Sequence, residues 1–319
     1  MEKPATALPS PTAENLFPPC RHHDYFSYAT THPLQAGASG FNVINACWLS
    51  EAALLAYDSD EEFVSCHCHA AGFESAQWFR GHSSQALLLV RQEAVVLAFR
   101  GTQVCWSGGT ATAAAMLADW VTDVRTGLVA SGGVRTGTVH EGFKSGLEQI
   151  WPALFSQVER LLAEVPGRTL WLTGHSLGAA LATLAAQRFT PLASLYTFGS
   201  PMVGDAEFCK SLPGSCYRIV HQSDVITEVP WFGLKLTLPP SWARYLHVGH
   251  TYWMDEAGAL HFRDGAGETS PALSPAKSSW QDDLATMLRF RLTADSFYHH
   301  SPLYYALRLR QHLASPARA

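Results

Sequence analysis

The chain has 319 residues, of which 47% are hydrophobic and 15% charged, with a formal net charge of −5 and a pI near 6.3. Length and apolar content suffice for one large α/β domain with a substantial core, and they exclude a disordered chain. The acidic balance supplies no basic patch, so no nucleic-acid partner is expected.

Residues 1–20 carry five prolines and no apolar run, which predicts a disordered or loosely draped segment holding little function. Residues 21–319 then form a single domain. The start of the chain lacks the apolar stretch of a secretory signal, and no later stretch is long and apolar enough for a transmembrane segment. The nearest, Gly101 to Ala118, is diluted by glycine and threonine. These features predict a cytoplasmic protein.

From Asn42 to Tyr57 apolar residues recur three and four apart, the pattern of a helix packing one face inward. Cys66-His67-Cys68-His69 sets four potential metal ligands in succession. Structural zinc needs two separated pairs, and no second pair follows, so the stretch reads as an early strand or loop and no metal is expected. Seven cysteines, an odd number without a signal, predict mostly reduced thiols.

Gln85 to Val90 and Ala94 to Phe99 are β-rich runs separated by Arg91-Gln92-Glu93, a hairpin leading into the sheet. The second run ends at Phe99-Arg100-Gly101-Thr102. Beyond it lie Trp106, Gly108-Gly109, an Ala-Thr tract and Asp119-Trp120-Val121-Thr122-Asp123-Val124. A Gly-Gly pair before an amphipathic helix fits a hinged lid over residues 103–130. A surface loop with a core-capping helix is the alternative. His140-Glu-Gly-Phe143 opens a helix with Phe143, Leu147, Ile150, Leu154, Val158 and Leu161 on one face and Pro152 as a kink.

The chain is organised around Thr169 to Ala182, where an apolar strand runs into Gly174-His175-Ser176-Leu177-Gly178 and then an alanine-rich helix. A serine hydroxyl is a poor nucleophile at neutral pH and must be pushed out of the backbone towards a base and an oxyanion site. A tight strand-to-helix turn does this, and Gly174 and Gly178 flank Ser176 where side chains would collide. Ser176 is therefore the candidate nucleophile. The oxyanion donors expected are the N–H of Leu177, directly after it, and the N–H of Thr102, at the end of the earlier strand. Losing one such donor typically costs about 3 kcal/mol of transition-state stabilisation.

Ala193 to Phe198 forms a further strand, ending in the turn residues Gly199-Ser200-Pro201. Tyr217 to His221 follows, with Asp224 near its tip. Active residues of such sheets sit at the carboxyl ends of parallel strands, which favours Asp224 as the acid over Asp205, in a loop before a short helix. Leu246 to Met254 and Ala259 to Phe262 predict a last strand and hairpin, Arg263 to Ser279 an exposed loop, and Asp282 to Thr293 a helix. Ser301 as N-cap and Pro302 at the first helical position start the final helix. His300 then lies in the loop at the helix mouth, free to reach across the sheet; His299 is its one-residue alternative. His175, His247 and His250 are expected to pack or hydrogen-bond rather than act as bases.

Phe99-Arg-Gly-Thr102, Asp119-Trp120, His140-Glu-Gly-Phe143, Gly174-His-Ser-Leu-Gly178, Tyr196-Thr-Phe-Gly-Ser-Pro201, Asp224, His247-Val-Gly249 and His300-Ser301 together resemble the class 3 (fungal-type) lipase family, over about Asn42 to Leu313. The resemblance implies an α/β-hydrolase fold: a central, mostly parallel sheet flanked by helices, with a lid-like insertion. It implies a Ser–Asp–His triad of Ser176, Asp224 and His300, oxyanion donors Thr102 and Leu177, and Asp123 as a lid aspartate bracing the oxyanion residue. The expected activity is carboxylic ester hydrolysis by a triacylglycerol lipase or esterase, on lipid or acyl esters at a lipid–water interface, with no cofactor. Trp106, Trp120, Trp231, Phe232 and Leu234 would feed the acyl groove. A feruloyl-type or small-ester esterase is an alternative within the enzyme class. A non-catalytic lipid-binding protein of the same fold would have a broken triad, whereas every member has a candidate here.

Overall fold

A computed structural model describes residues 8–103, 128–132, 136–228, 245–263 and 294–314. Within it Ala94–Phe99 is buried at every position. An uninterrupted apolar run of this kind is stable where both faces of a sheet are covered. Ten strands are described: β1 Ser75–Arg80, β2 Gln85–Val90, β3 Ala94–Phe99, β4 Leu128–Ala130, β5 Thr138–His140, β6 Thr169–His175, β7 Ser194–Phe198, β8 Ser215–His221, β9 His250–Met254 and β10 Leu260–Arg263. Eight of them form one sheet in the order β1-β2-β3-β6-β7-β8-β9-β10, while β4 and β5 pair separately. β3, β6, β7, β8 and β9 run parallel, and the edges are antiparallel.

Alternation along each strand sorts side chains between two cores. Leu87, Val96, Trp171, Tyr196 and Ile219 join one, against the helices Val43–Leu55 and Pro302–Ala314. Leu88, Leu97, Leu170, Leu172 and Leu195 join the other, against Glu141–Glu148, Trp151–Glu164 and Leu177–Arg188. Each fully buried leucine contributes roughly 2 kcal/mol by removal from water. The helix Val43–Leu55 is started by Asn42, whose side chain accepts from the Asn45 amide at 3.1 Å.

The hairpin of β2 and β3 has the bounds expected from the sequence. Four other stretches differ. Cys66 to His69 belong to a helix, Glu61–Ala70, started by Asp60 accepting from the Phe63 amide at 3.1 Å and favoured by acidic residues in its first turn and histidines in its last. The helix from Glu141 is two helices, with Pro152 in the first turn of the second, where its missing N–H costs nothing. His300 is the last residue of a helix, Ala294–His300, rather than a loop residue. The described part of the N-terminal stretch, residues 8–20, forms a short helix, Ala13–Leu16, and buries Leu16 and Cys20.

Candidate active site

β6 is buried from Leu170 onward and delivers the chain to Ser176, whose backbone is held at φ 57°, ψ −127°. A non-glycine residue in this region is strained by roughly 1–3 kcal/mol, and packing around it holds it there. The Ser176 amide donates to the Phe198 carbonyl at 3.0 Å. A Cβ on Gly178 would overlap the Phe99 carbonyl, and one on Gly174 would overlap the Gly178 backbone. The two glycines thus let the elbow helix close onto β3 and β6.

The structure brings Ser176, His300 and Asp224 into one line. Ser176 Oγ lies 3.0 Å from His300 Nε2, and His300 Nδ1 lies 2.9 and 3.0 Å from the two Asp224 oxygens. A carboxylate only accepts, so Nδ1 carries the proton and Nε2 is free to accept from the serine hydroxyl. Asp224 also accepts from the Tyr305 hydroxyl at 2.7 Å and the Ile226 amide at 3.0 Å. Burial pushes its carboxyl up, but the neighbouring His300 and the hydrogen bonds from His300 and Tyr305 outweigh this and hold it below the ordinary carboxylate range. Gly199, at φ +57°, makes room: a Cβ there would lie 2.6 Å from Asp224 Oδ2 and 3.1 Å from His300 Nδ1.

Behind this line His175 is fully enclosed. Its Nε2 donates to the His300 carbonyl at 2.6 Å, and its Nδ1 accepts from the Tyr57 hydroxyl at 2.8 Å. Burial, and then the nearby His300, push its imidazole well below the ordinary histidine range, so it stays neutral. Tyr57 also abuts the strand end, since a Cβ on Gly101 would overlap its hydroxyl. One residue on, Thr102 leaves its hydroxyl buried without a hydrogen-bond partner. Leu177 opens the elbow helix, where the first amides have no acceptor within the helix. A pocket brings Ser176, His300 and Thr102 together with Leu16, Phe17 and Phe297.

The other candidates lie elsewhere. Asp205 caps the short helix Ala206–Lys210, accepting from the Phe208 amide at 2.8 Å, and binds Thr138. The His299 ring packs edge-on to His221 at 5.0 Å, and the Ser200 hydroxyl donates to the Pro201 carbonyl at 3.0 Å. Trp106, Trp120, Asp123, Trp231, Phe232 and Leu234 lie outside the described residues, as does nearly all of the stretch expected as a lid. Among the described residues no cluster of three or more His, Cys, Asp or Glu could hold a metal ion, and no helix is long and apolar enough to cross a membrane. Tyr57 and the Asp224-binding role of Tyr305 carry no local sequence signal, because each meets its partner across a long span of chain.

A strand–elbow–helix unit at the centre of a helix-covered, mostly parallel sheet, with an acid and a histidine beyond its strand ends, defines an α/β-hydrolase. The expected central, mostly parallel sheet flanked by helices is the observed one; the expected lid-like insertion lies outside the described residues. Residues 96–233 match the family described as lipase (class 3). It is 32% identical over 168 residues to the secreted mono- and diacylglycerol lipase A of Penicillium cyclopium, covering 50% of this chain and 48% of that one. It is also 32% identical over 144 residues to the secreted mono- and diacylglycerol lipase 1 of Fusarium solani, covering 43% and 40%. The match thus spans about half the length of these curated relatives or less. The crystal structure of a fungal lipase shares the fold, with a TM-score of 0.59 at 22% identity, covering 82% of this chain and 95% of its own. The cytoplasmic expectation is corrected by these relatives, which are secreted lipases.

Proposed function

We propose that the chain is a serine carboxylic ester hydrolase, a lipase cleaving acyl esters of glycerol at a lipid–water interface. The observation that carries this reading is the hydrogen-bonded line from Ser176 Oγ through His300 to Asp224, buried at the carboxyl ends of parallel strands. In this reading His300 Nε2 takes the hydroxyl proton as Ser176 Oγ attacks the ester carbonyl. Asp224 fixes the tautomer and stabilises the resulting imidazolium. The amides of Leu177 and Thr102 receive the oxyanion, with the Thr102 hydroxyl as a further donor. The tetrahedral intermediate collapses to an acyl-enzyme as His300 returns the proton to the leaving alcohol. Water repeats the sequence and releases the acid. The eight-stranded sheet, with strands drawn from Ser75 to Arg263, supports treating residues 21–319 as one domain.

Hydrolysis of p-nitrophenyl esters from acetate to palmitate, with Ser176→Ala alongside the parent, tests the proposal. Ser176-dependent turnover favouring medium or long chains is expected. Activity confined to acetate and butyrate would mark a small-ester esterase, and equal rates from both proteins would remove Ser176 from its role.

A further inference from the structure

Leu16, Phe17 and Phe297 are buried, yet they belong to neither of the two cores that cover the sheet. Among the described residues they line, with Pro18 and Pro302, the pocket that contains Ser176, His300 and Thr102. The Phe17 and Phe297 rings pack with centroids 5.2 Å apart, and Phe297 lies three residues before the histidine, on the same helix.

The N-terminal stretch is fixed in this position by bonds beyond apolar contact. Ser301, next to His300, donates its hydroxyl to the Asn15 carbonyl at 2.9 Å, and Tyr304 donates to the Pro9 carbonyl at 2.9 Å. Downstream, Arg21 makes a two-pronged pair with buried Asp58 at 2.9 and 2.7 Å, and the Phe26 amide donates to buried Glu51. Two-pronged guanidinium–carboxylate pairs fix geometry as well as charge. Leu16 and Phe17 are thus held from both sides against the space an acyl chain must enter when its carbonyl sits at Ser176.

We propose that Leu16 and Phe17 are specificity-determining residues, the wall that limits the length of acyl chain accepted. The inference rests on the hydrolase reading of the site. An apolar pocket distinguishes ligands by about 10–200-fold per methylene gained or lost, so changing the wall's volume must change chain-length preference.

The test compares kcat/KM for p-nitrophenyl butyrate and laurate in the parent, Phe17→Ala and Phe17→Trp. The ratio of the two is independent of the folded fraction, which keeps the test valid if a variant is less stable. The laurate-to-butyrate ratio should rise about tenfold or more in Phe17→Ala and fall by a similar factor in Phe17→Trp. An unchanged ratio in both variants of an active parent overturns the inference and leaves the hydrolase reading intact. A rate increase equal for both esters in Phe17→Ala also overturns it, since the segment would then be a plug. A parent with no Ser176-dependent turnover overturns the hydrolase reading, and the inference with it.

Discussion

The Tyr305 hydroxyl donates to Asp224 at 2.7 Å while accepting from the His221 amide at 3.0 Å. Tyr305 therefore ties the acid of the site to the end of β8. In Tyr305→Phe the acid keeps His300 and the Ile226 amide, so it stays ionised but less firmly held. kcat for a good ester should fall about tenfold, equivalent to roughly 1.4 kcal/mol, with KM nearly unchanged. Steady-state kinetics decide this, and a kcat equal to the parent's would reduce Tyr305 to packing.

Gly199 admits no side chain without displacing the Asp224–His300 pair. Gly199→Ala should cost about 1–2 kcal/mol of stability from the positive φ alone, and displacing catalytic groups by about 1 Å costs on the order of a hundredfold in rate. Urea unfolding and ester kinetics on the same preparation separate the two losses. A folded variant with parental kcat would show that the pair adjusts freely.

Tyr57→Phe leaves the Nδ1 of buried His175 without its donor. An orphaned buried acceptor costs about 1–3 kcal/mol, and that much loss in unfolding free energy is expected. Because His175 in turn holds the His300 carbonyl, kcat should fall as well. Denaturant midpoints unchanged from the parent would contradict the first expectation.

Three buried histidines make stability depend on pH. Burial, with His300 second, holds His175 well below the ordinary range; burial and Arg218 do the same to His247. Burial, His299 and Arg308 push His221 down to about 3. Each takes up a proton near pH 6.5 when unfolded but not when folded, so stability is full above that pH and declines below it. Once the unfolded histidines are charged, each contributes a loss of about 1.4 kcal/mol per pH unit. Asp224, held below the ordinary carboxylate range, adds a further loss as pH falls through its folded value. Urea midpoints from pH 8 to pH 4 should drop steeply below pH 6, and a flat profile would refute this account.

The elbow was legible because its chemistry is local: a buried strand, glycines two residues either side of Ser176 and small residues after it all bear on one turn. The hairpin of β2 and β3 was legible for the same reason, as two apolar runs around polar Arg91-Gln92-Glu93. β1 was not, since its Ser-Ala-Gln-Trp-Phe-Arg sequence lies at the sheet edge, mostly half-buried or exposed, and has no apolar run. The Cys66 to His69 stretch carries ligand chemistry but no helix signal of its own; that signal, Asp60 before Glu61-Glu62, stands upstream. The prolines of residues 1–20 suggest looseness, but what orders residues 8–20 are hydroxyl donors and apolar walls contributed by residues almost 300 positions away. No window along the sequence contains that information.

The same separation has a consequence for synthesis. Ser176 and His300 lie 124 residues apart, and Ser301 and Asn15 lie 286 apart. A chain made N-terminus first at about 5–20 residues per second exposes its serine roughly 6–25 s before its histidine exists. Through that interval Ser176 is an ordinary alcohol with no base to take its proton. The hydrogen-bonded line of Ser176, His300 and Asp224 can form only once residues this far apart in the chain have met.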